Sequence, residues 1–192
     1  MELSARLNAM KYEDEKYYHV YNRGANKQDI FLCASNYDFC LRLFKKFAFQ
    51  YYVSIMTYCL MPNHYHLLLR QCDSGSISSF IQAVFNSYSQ AFNKATGHSG
   101  TLFQGRAKGM EVINDEYAVR LCRYIHYNPV AARLVTRPED WQYSDYLDWI
   151  GKRNGTLTDL SLRETYFESA DAYRSFMDEY RGNEKILNFD FE

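Results

Sequence analysis

Two hydrophobic periods organise this chain of 192 residues. Over residues 36–49, Phe39, Leu43, Phe44 and Phe47 recur three and four apart, which predicts a helix that Asn36 or Ser35 could cap. Residues 76–92 repeat the spacing through Phe80, Ile81, Val84, Tyr88 and Phe92, and Gly97 suits the left-handed position that closes a helix. A third helix is expected from an Asn114 cap to about Tyr127, with Asp115 and Glu116 in the first turn, where the helix dipole favours acids. Pro129 should end or kink it, or open a short helix over 129–135. A last helix is expected around 169–180.

Between these runs lie β-prone segments: YYHVYN at 17–22, YYVSIMTYCL at 51–60 and HYHLLLR at 64–70. Met61-Pro62-Asn63 is a turn signal that joins the last two as a hairpin. Residues 101–113, with Gly105 and Gly109, read as short strand or loop. The order β, α, β–β, α, β, α predicts an α+β fold: a ferredoxin-like antiparallel sheet with helices packed on it, followed by a C-terminal helical extension. Residues 1–137 are taken as the main domain and 138–192 as that extension.

Composition narrows the class. Hydrophobic residues are 47% of the chain, enough for a packed core, and no apolar run approaches the roughly 18 residues of a membrane span. The first 18 residues lack an apolar segment, so no secretory signal and no membrane partner are expected. The five cysteines are odd in number and form no CxxC pair, which disfavours a disulfide framework or a zinc knuckle and makes a cytoplasmic location the expectation. The net charge of -1 hides an asymmetry. Residues 1–137 carry 16 Lys+Arg against 10 Asp+Glu, whereas 138–192 carry 6 against 13. A basic part followed by an acidic one points, weakly, to a polyanion partner for the first part.

The sharpest chemical feature is His64-Tyr65-His66. On a strand, residues two apart share a face at about 6.5 Å, so both imidazoles can converge on one cation while Tyr65 points the other way. Two ordinary strand histidines are the alternative. On the helix after Asn114, at about 100° per residue, Tyr117, Tyr124 and Asn128 lie within about 40° of one another, while His126 is about 200° from Tyr124. That stripe offers a phenol and, one turn on, an amide; core aromatics and a cap for a following helix are the plainer readings. Aromatic and basic residues interleave at Tyr17, Tyr18, Tyr21 and Arg23, then at Phe103, Arg106, Lys108, Arg120 and Arg123. Single-stranded nucleic acid is often held by such a mix, bases on rings and phosphates on cations.

The blocks YYHVYNRGANKQDIF, YCLMPNHYHLLL, FQGRAKG, RYIHYNPVAARLV and WQYSDY, in this order over about residues 17–147, resemble bacterial single-tyrosine HUH transposases, most closely the REP-associated tyrosine transposase branch. The resemblance implies a DNA strand transferase acting on single-stranded or hairpin DNA, with Tyr124 as nucleophile in the YIxxNP helix and a 5′-phosphotyrosine intermediate. It implies His64, His66 and Asn128 as ligands of a divalent cation, Mg²⁺ or Mn²⁺, and no nucleotide cofactor. Arg23, Arg106, Lys108, Arg120 and Arg123 are the expected DNA contacts. Tyr127 keeps a two-tyrosine scheme open, and monomer and homodimer both remain open. The competing readings are a non-catalytic single-stranded nucleic-acid-binding protein of the same fold and a metal-dependent hydrolase that uses water. For the acidic segment, Trp141, Tyr143, Tyr146 and Trp149 are expected to pack 138–150 onto the core, while the later helix covers a face away from DNA or reaches across the site.

Overall fold

Four strands form one sheet: β1 (Tyr17–Arg23), β2 (Val53–Met61), β3 (His64–Gln71) and β4 (Lys108–Val112). Their order is β2-β3-β1-β4, with every neighbouring pair antiparallel. The structure, a computed structural model, describes residues 11–180. The chain ends, where no leader and the close of the acidic extension were expected, lie outside those residues. Helices α1 (Ala34–Gln50) and α2 (Ile77–Thr96) are the crossovers, and α3 (Asp115–Ala131) follows β4. Short helices α4 (Tyr146–Trp149), α5 (Ser161–Tyr166) and α6 (Ala170–Asp178) complete the described chain. This is the ferredoxin-like α+β arrangement read from the order of elements.

The helix ends follow local chemistry. Ser76 caps α2 by accepting from the Ser79 N–H, and Gly97 closes it at φ 70°. Asn114 caps α3 through the Tyr117 N–H. At α1 the expectation fails: Cys33 occupies the cap position without a side-chain bond to the helix backbone, and Asn36 Oδ1 instead accepts from the Leu32 N–H at 3.0 Å. Pro129 neither ends α3 nor opens a new helix. Pro129 lies inside the last turn of α3, where a missing N–H forfeits a single bond, and the helix runs on to Ala131 with the Ala132 N–H bonded to the Asn128 carbonyl. No second helix begins at Pro129, so Asn128 is an interior helical residue rather than a cap.

Alternation along the strands sorts side chains to two faces. Tyr18, Val20, Tyr65, Leu67 and Leu69 are buried beneath α1 and α2. Cys59, Met61 and Leu68 face the other way, under α3 and the C-terminal segment. A bulge between Ile55 and Thr57 adds a residue to β2, and Met56 joins this second core while Thr57 meets His126 of α3.

Residues beyond 138 share that core. Tyr146, Trp149, Ile150, Leu162, Tyr173 and Met177 pack with Ala118, Leu121, Cys122 and Ile125 of α3. Segment 143–159 also closes the outer edge of β2: the Leu60 N–H donates to the Tyr143 carbonyl, the Asp145 N–H to Tyr58 and the Asp159 N–H to Ile55. An uncovered edge strand would offer its backbone groups to other chains. Inside the seam, Asp145 is fully buried and accepts from Thr57 Oγ1, the Tyr58 N–H, Trp149 Nε1 and Thr158 Oγ1, and its Oδ1 lies 2.9 Å from His126 Nε2.

Candidate active site

Strand β3 begins at the turn after Pro62, so its first residues sit at the rim of the sheet. His64 is half-buried there and His66, one pleat inward, is fully buried. Their ring centroids are 5.2 Å apart with planes at 87°. Tyr65 goes to the opposite face, as alternation requires, and stacks on Phe85 at 4.1 Å. On α3 the stripe expected from the sequence faces the same two histidines. The Tyr124 ring stands edge-on to His66 at 5.5 Å, and Asn128 Oδ1 lies 3.3 Å from His64 Nε2. His126 points away into the buried seam, and Tyr127 packs against Tyr180 at 4.6 Å rather than against the histidines.

Protonation constrains this arrangement. His64 Nδ1 is 2.7 Å from Asn63 Oδ1, an acceptor only, so a neutral His64 carries its proton on Nδ1. Its Nε2 lone pair then faces the Asn128 carbonyl oxygen. Two acceptors at 3.3 Å call for a proton or a cation near both. Burial lowers the His64 pKa, with the Asn128 contact opposing and the neighbouring Arg23 charge assisting, so the extra proton is disfavoured. His66 is lowered well below the ordinary imidazole value by burial and by its histidine neighbours. Tyr124 is raised by desolvation, while the Asn128 side chain hydrogen-bonds the phenol and pulls the other way. Asn128 thus links the imidazole to the phenol.

Two imidazoles and an amide oxygen are suitable donors for a divalent first-row or alkaline-earth cation. Ligands at about 2.1 Å on adjacent octahedral positions are separated by about 3 Å, close to the His64–Asn128 spacing. The residues therefore fit a divalent cation, although among the described residues no group of three or more His, Cys, Asp and Glu is placed to hold a metal.

Sequence reasoning missed His19. It is fully buried on β1, and its Nε2 lies 3.0 Å from His66 Nδ1, with ring centroids 5.2 Å apart and planes within 14° of each other. The available signal was its alternation in YYHVYN, which puts it on the face of Tyr21, whose register partner is His66.

The expected DNA contacts are dispersed. Arg23 is the register partner of His64 and donates through Nε to Gln104 Oε1. Lys108 is opposite Tyr21 with its ammonium 5.9 Å from that ring. Both border the histidines. Arg120 is exposed on α3, one turn before Tyr124, and paired with Glu116. Arg106 lines a cleft of about 580 Å³ with Gln82, Phe85 and Asn86 of α2, on the other face of the sheet. Arg123 departs from the expectation: it is 5% exposed, donates to the Phe176 carbonyl and lies 3.9 Å over the Phe176 ring. Its guanidinium anchors α6 instead of facing solvent.

The sequence profile of a family described as "Transposase IS200 like" matches residues 13–128, which includes every element of the sheet and α3 through Asn128. The chain belongs to the IS200-like transposase family. It is a DNA transposase. Among solved structures, the chain is similar to a REP-associated tyrosine transposase bound to a REP hairpin, at 19% identity and TM-score 0.62, covering 80% of this chain and 94% of that one. It is also similar to a candidate transposase from Deinococcus radiodurans R1, at 17% identity and TM-score 0.44, covering 62% and 94%. A bacterial tRNA(His) guanylyltransferase-like protein in complex with GTP matches at 8% identity and TM-score 0.44, covering 64% and 67%. No curated protein matches the chain. The first likeness extends the shared fold beyond the family match, and no described helix is long and apolar enough to cross a membrane.

Proposed function

We propose that this transposase nicks and rejoins single-stranded or hairpin DNA through a 5′-phosphotyrosine on Tyr124, with His64, His66 and Asn128 as ligands of a divalent cation. The observation that carries the reading is the convergence of β3 and α3, which sets Tyr124 edge-on to His66 and Asn128 beside His64. The hairpin bound by the similar REP-associated enzyme supports DNA of that kind as substrate.

The residues divide the work as follows. A divalent cation held by His64, His66 and Asn128 would supply polarisation of a non-bridging oxygen of the scissile phosphate; imidazole ligands favour Mn²⁺ in affinity, and the more abundant Mg²⁺ can serve in the cell. Tyr124 supplies the oxygen that attacks phosphorus; the new bond is Tyr O–P, the broken one is P–O3′, and the proton the phenol gives up to solvent is balanced by the one the departing strand takes up as its 3′-OH. The ester conserves the bond energy, so rejoining needs no ATP and no nucleotide cofactor. Asn128 orients the phenol through its hydrogen bond. Arg23 and Lys108, which border the histidines, hold flanking phosphates. Catalysis resides in the 1–137 portion, and 138–180 supports α3 from behind.

Incubating the protein with a short hairpin oligonucleotide and Mn²⁺ or Mg²⁺, then running a denaturing gel, tests the reading. A covalent adduct that maps to Tyr124 and requires the cation supports it. Metal-dependent cleavage without an adduct points to a hydrolase using water, and binding without cleavage points to a non-catalytic module.

A further inference from the structure

We infer that His19 is a positioning residue that selects which ring nitrogen His66 presents to the cation, an inference that rests on the metal reading above. His66 Nδ1 and His19 Nε2 are 3.0 Å apart, and both rings are fully buried. One of these two nitrogens carries the proton. If it belonged to His19, a neutral His66 would hold its own proton on Nε2 and have no lone pair there. With the proton on His66 Nδ1, donated to His19 Nε2, the lone pair resides on His66 Nε2, and His19 keeps its own proton on Nδ1.

The neighbours favour the second arrangement. His64 is already set the same way, since its Nδ1 meets the acceptor Asn63 Oδ1. Both histidines of the pair then offer Nε2, each fixed by a different partner: an amide from the preceding turn for His64 and an imidazole from β1 for His66. The Tyr21 ring packs against this partner at 4.9 Å, and the planes of His19 and His66 lie within 14° of each other with centroids 5.2 Å apart, edge to edge as an in-plane N–H···N bond requires. A partner on the non-ligating nitrogen commonly raises the basicity of a metal-bound imidazole and fixes its rotation. Here that partner is a neutral aromatic ring rather than a carboxylate, so it adds no negative charge where the DNA phosphate must approach.

The test replaces His19 with Phe, which keeps a flat ring and removes the acceptor, and with Gln, which returns an acceptor oxygen. Long-range ¹⁵N–¹H spectra of the metal-free, full-length protein report the His66 tautomer directly. The parent and His19→Gln should show the proton on Nδ1, and His19→Phe should show a mixture or the proton on Nε2. Calorimetry with Mn²⁺ should show affinity falling roughly 10- to 100-fold in His19→Phe and recovering at least in part in His19→Gln. Circular dichroism establishes that each variant is folded. If His19→Phe does not fold, the parent and His19→Gln spectra decide alone, and a parent His66 protonated on Nε2 overturns the inference. A folded His19→Phe with the parent's tautomer and Mn²⁺ affinity also overturns it. A parent that binds no Mn²⁺ while showing the Nδ1 proton sinks the metal assignment and leaves His19's selection of the tautomer standing.

Discussion

Asn128 Oδ1 stands 3.3 Å from His64 Nε2, joining the first residue of β3 to the last turn of α3. The contact exists because α3 does not stop before Pro129. Had the helix broken there, the Asn128 side chain would have served as a cap and turned toward backbone N–H groups.

The first prediction concerns those two donors. His64→Ala should abolish cation-dependent cleavage and reduce Mn²⁺ binding below detection, since an open amide and one imidazole make a poor site. Asn128→Ala should weaken Mn²⁺ and also disturb Tyr124, which loses its hydrogen-bond partner. Calorimetry and a cleavage gel read both effects. Parental cleavage by His64→Ala would remove the histidine from the site.

Tyr124→Phe deletes a single oxygen from a half-buried ring. Stability should change by about 1 kcal/mol or less, the size of one hydrogen bond, while the covalent adduct disappears. Mass spectrometry of the parent adduct provides the control. Tyr117 and Tyr127 are the competitors, and finding the DNA on Tyr127 would be surprising given that its ring packs against Tyr180.

The sheet, its crossover helices and the face shared by His64 and His66 were legible because period-two and helical spacing are local signals. Helical angles put Tyr117, Tyr124 and Asn128 on one stripe, and the resemblance of the YIxxNP block singled out Tyr124 and Asn128 from it. His19 was not legible, because its role depends on strand pairing, which places residues 47 positions apart at hydrogen-bond distance. Arg123 misled for a related reason. Nothing near it in sequence reveals that Phe176 returns to cover its guanidinium. The acidic balance of the C-terminal part says nothing of where its carboxylates sit. Part of it is internal: Asp145 and Asp148 are buried, Asp148 paired with Arg153, and the partly buried Asp159 pairs with Arg70.

Position within the fold also separates the basic residues. Arg23→Ala or Lys108→Ala should each lower the salt slope of hairpin affinity by about 0.7, the loss of one single-strand phosphate contact. Arg106, on the α2 face, should matter only if DNA wraps around the β4 edge. Arg123→Ala should lower thermal stability without changing that slope. Fluorescence anisotropy over a salt series measures all four, and a slope change confined to Arg123→Ala would reverse the assignment.

The metal-free protein should lose stability in mild acid. The His19 pKa is lowered to about 3 by burial, and His66 is shifted in the same direction. In the unfolded chain both titrate near 6.5. Below that value the unfolded state binds protons that the folded state refuses, so stability is complete above about pH 6.5 and declines as pH falls toward 3. Each buried histidine contributes at most about 1.4 kcal/mol per pH unit across that window. Urea midpoints measured with chelator from pH 7.5 to 5 should fall steadily, and a level profile contradicts the buried neutral pair.

The last prediction concerns the segment after α3. Truncation after Gly151 removes Leu162, Tyr173 and Met177 from the core shared with α3. It also strips the Asp159 bond from the edge of β2. The truncated protein should aggregate or unfold at ordinary temperature. A finer probe is Asp145→Ala, which deletes only the buried carboxylate and so takes an acceptor from Thr57, Trp149 and Thr158 and the partner from His126. Leaving a buried donor without its acceptor costs about 1–3 kcal/mol for each group left unsatisfied. Tyr173→Phe, which removes only the hydroxyl 2.7 Å from His126 Nδ1, should cost about 1 kcal/mol. Because His126 lies on the far side of α3 from Tyr124, both variants should lower the melting temperature before they alter the cleavage rate of the folded fraction. A truncated protein that stays folded and cuts at the parental rate would show instead that α3 holds its place without the C-terminal segment.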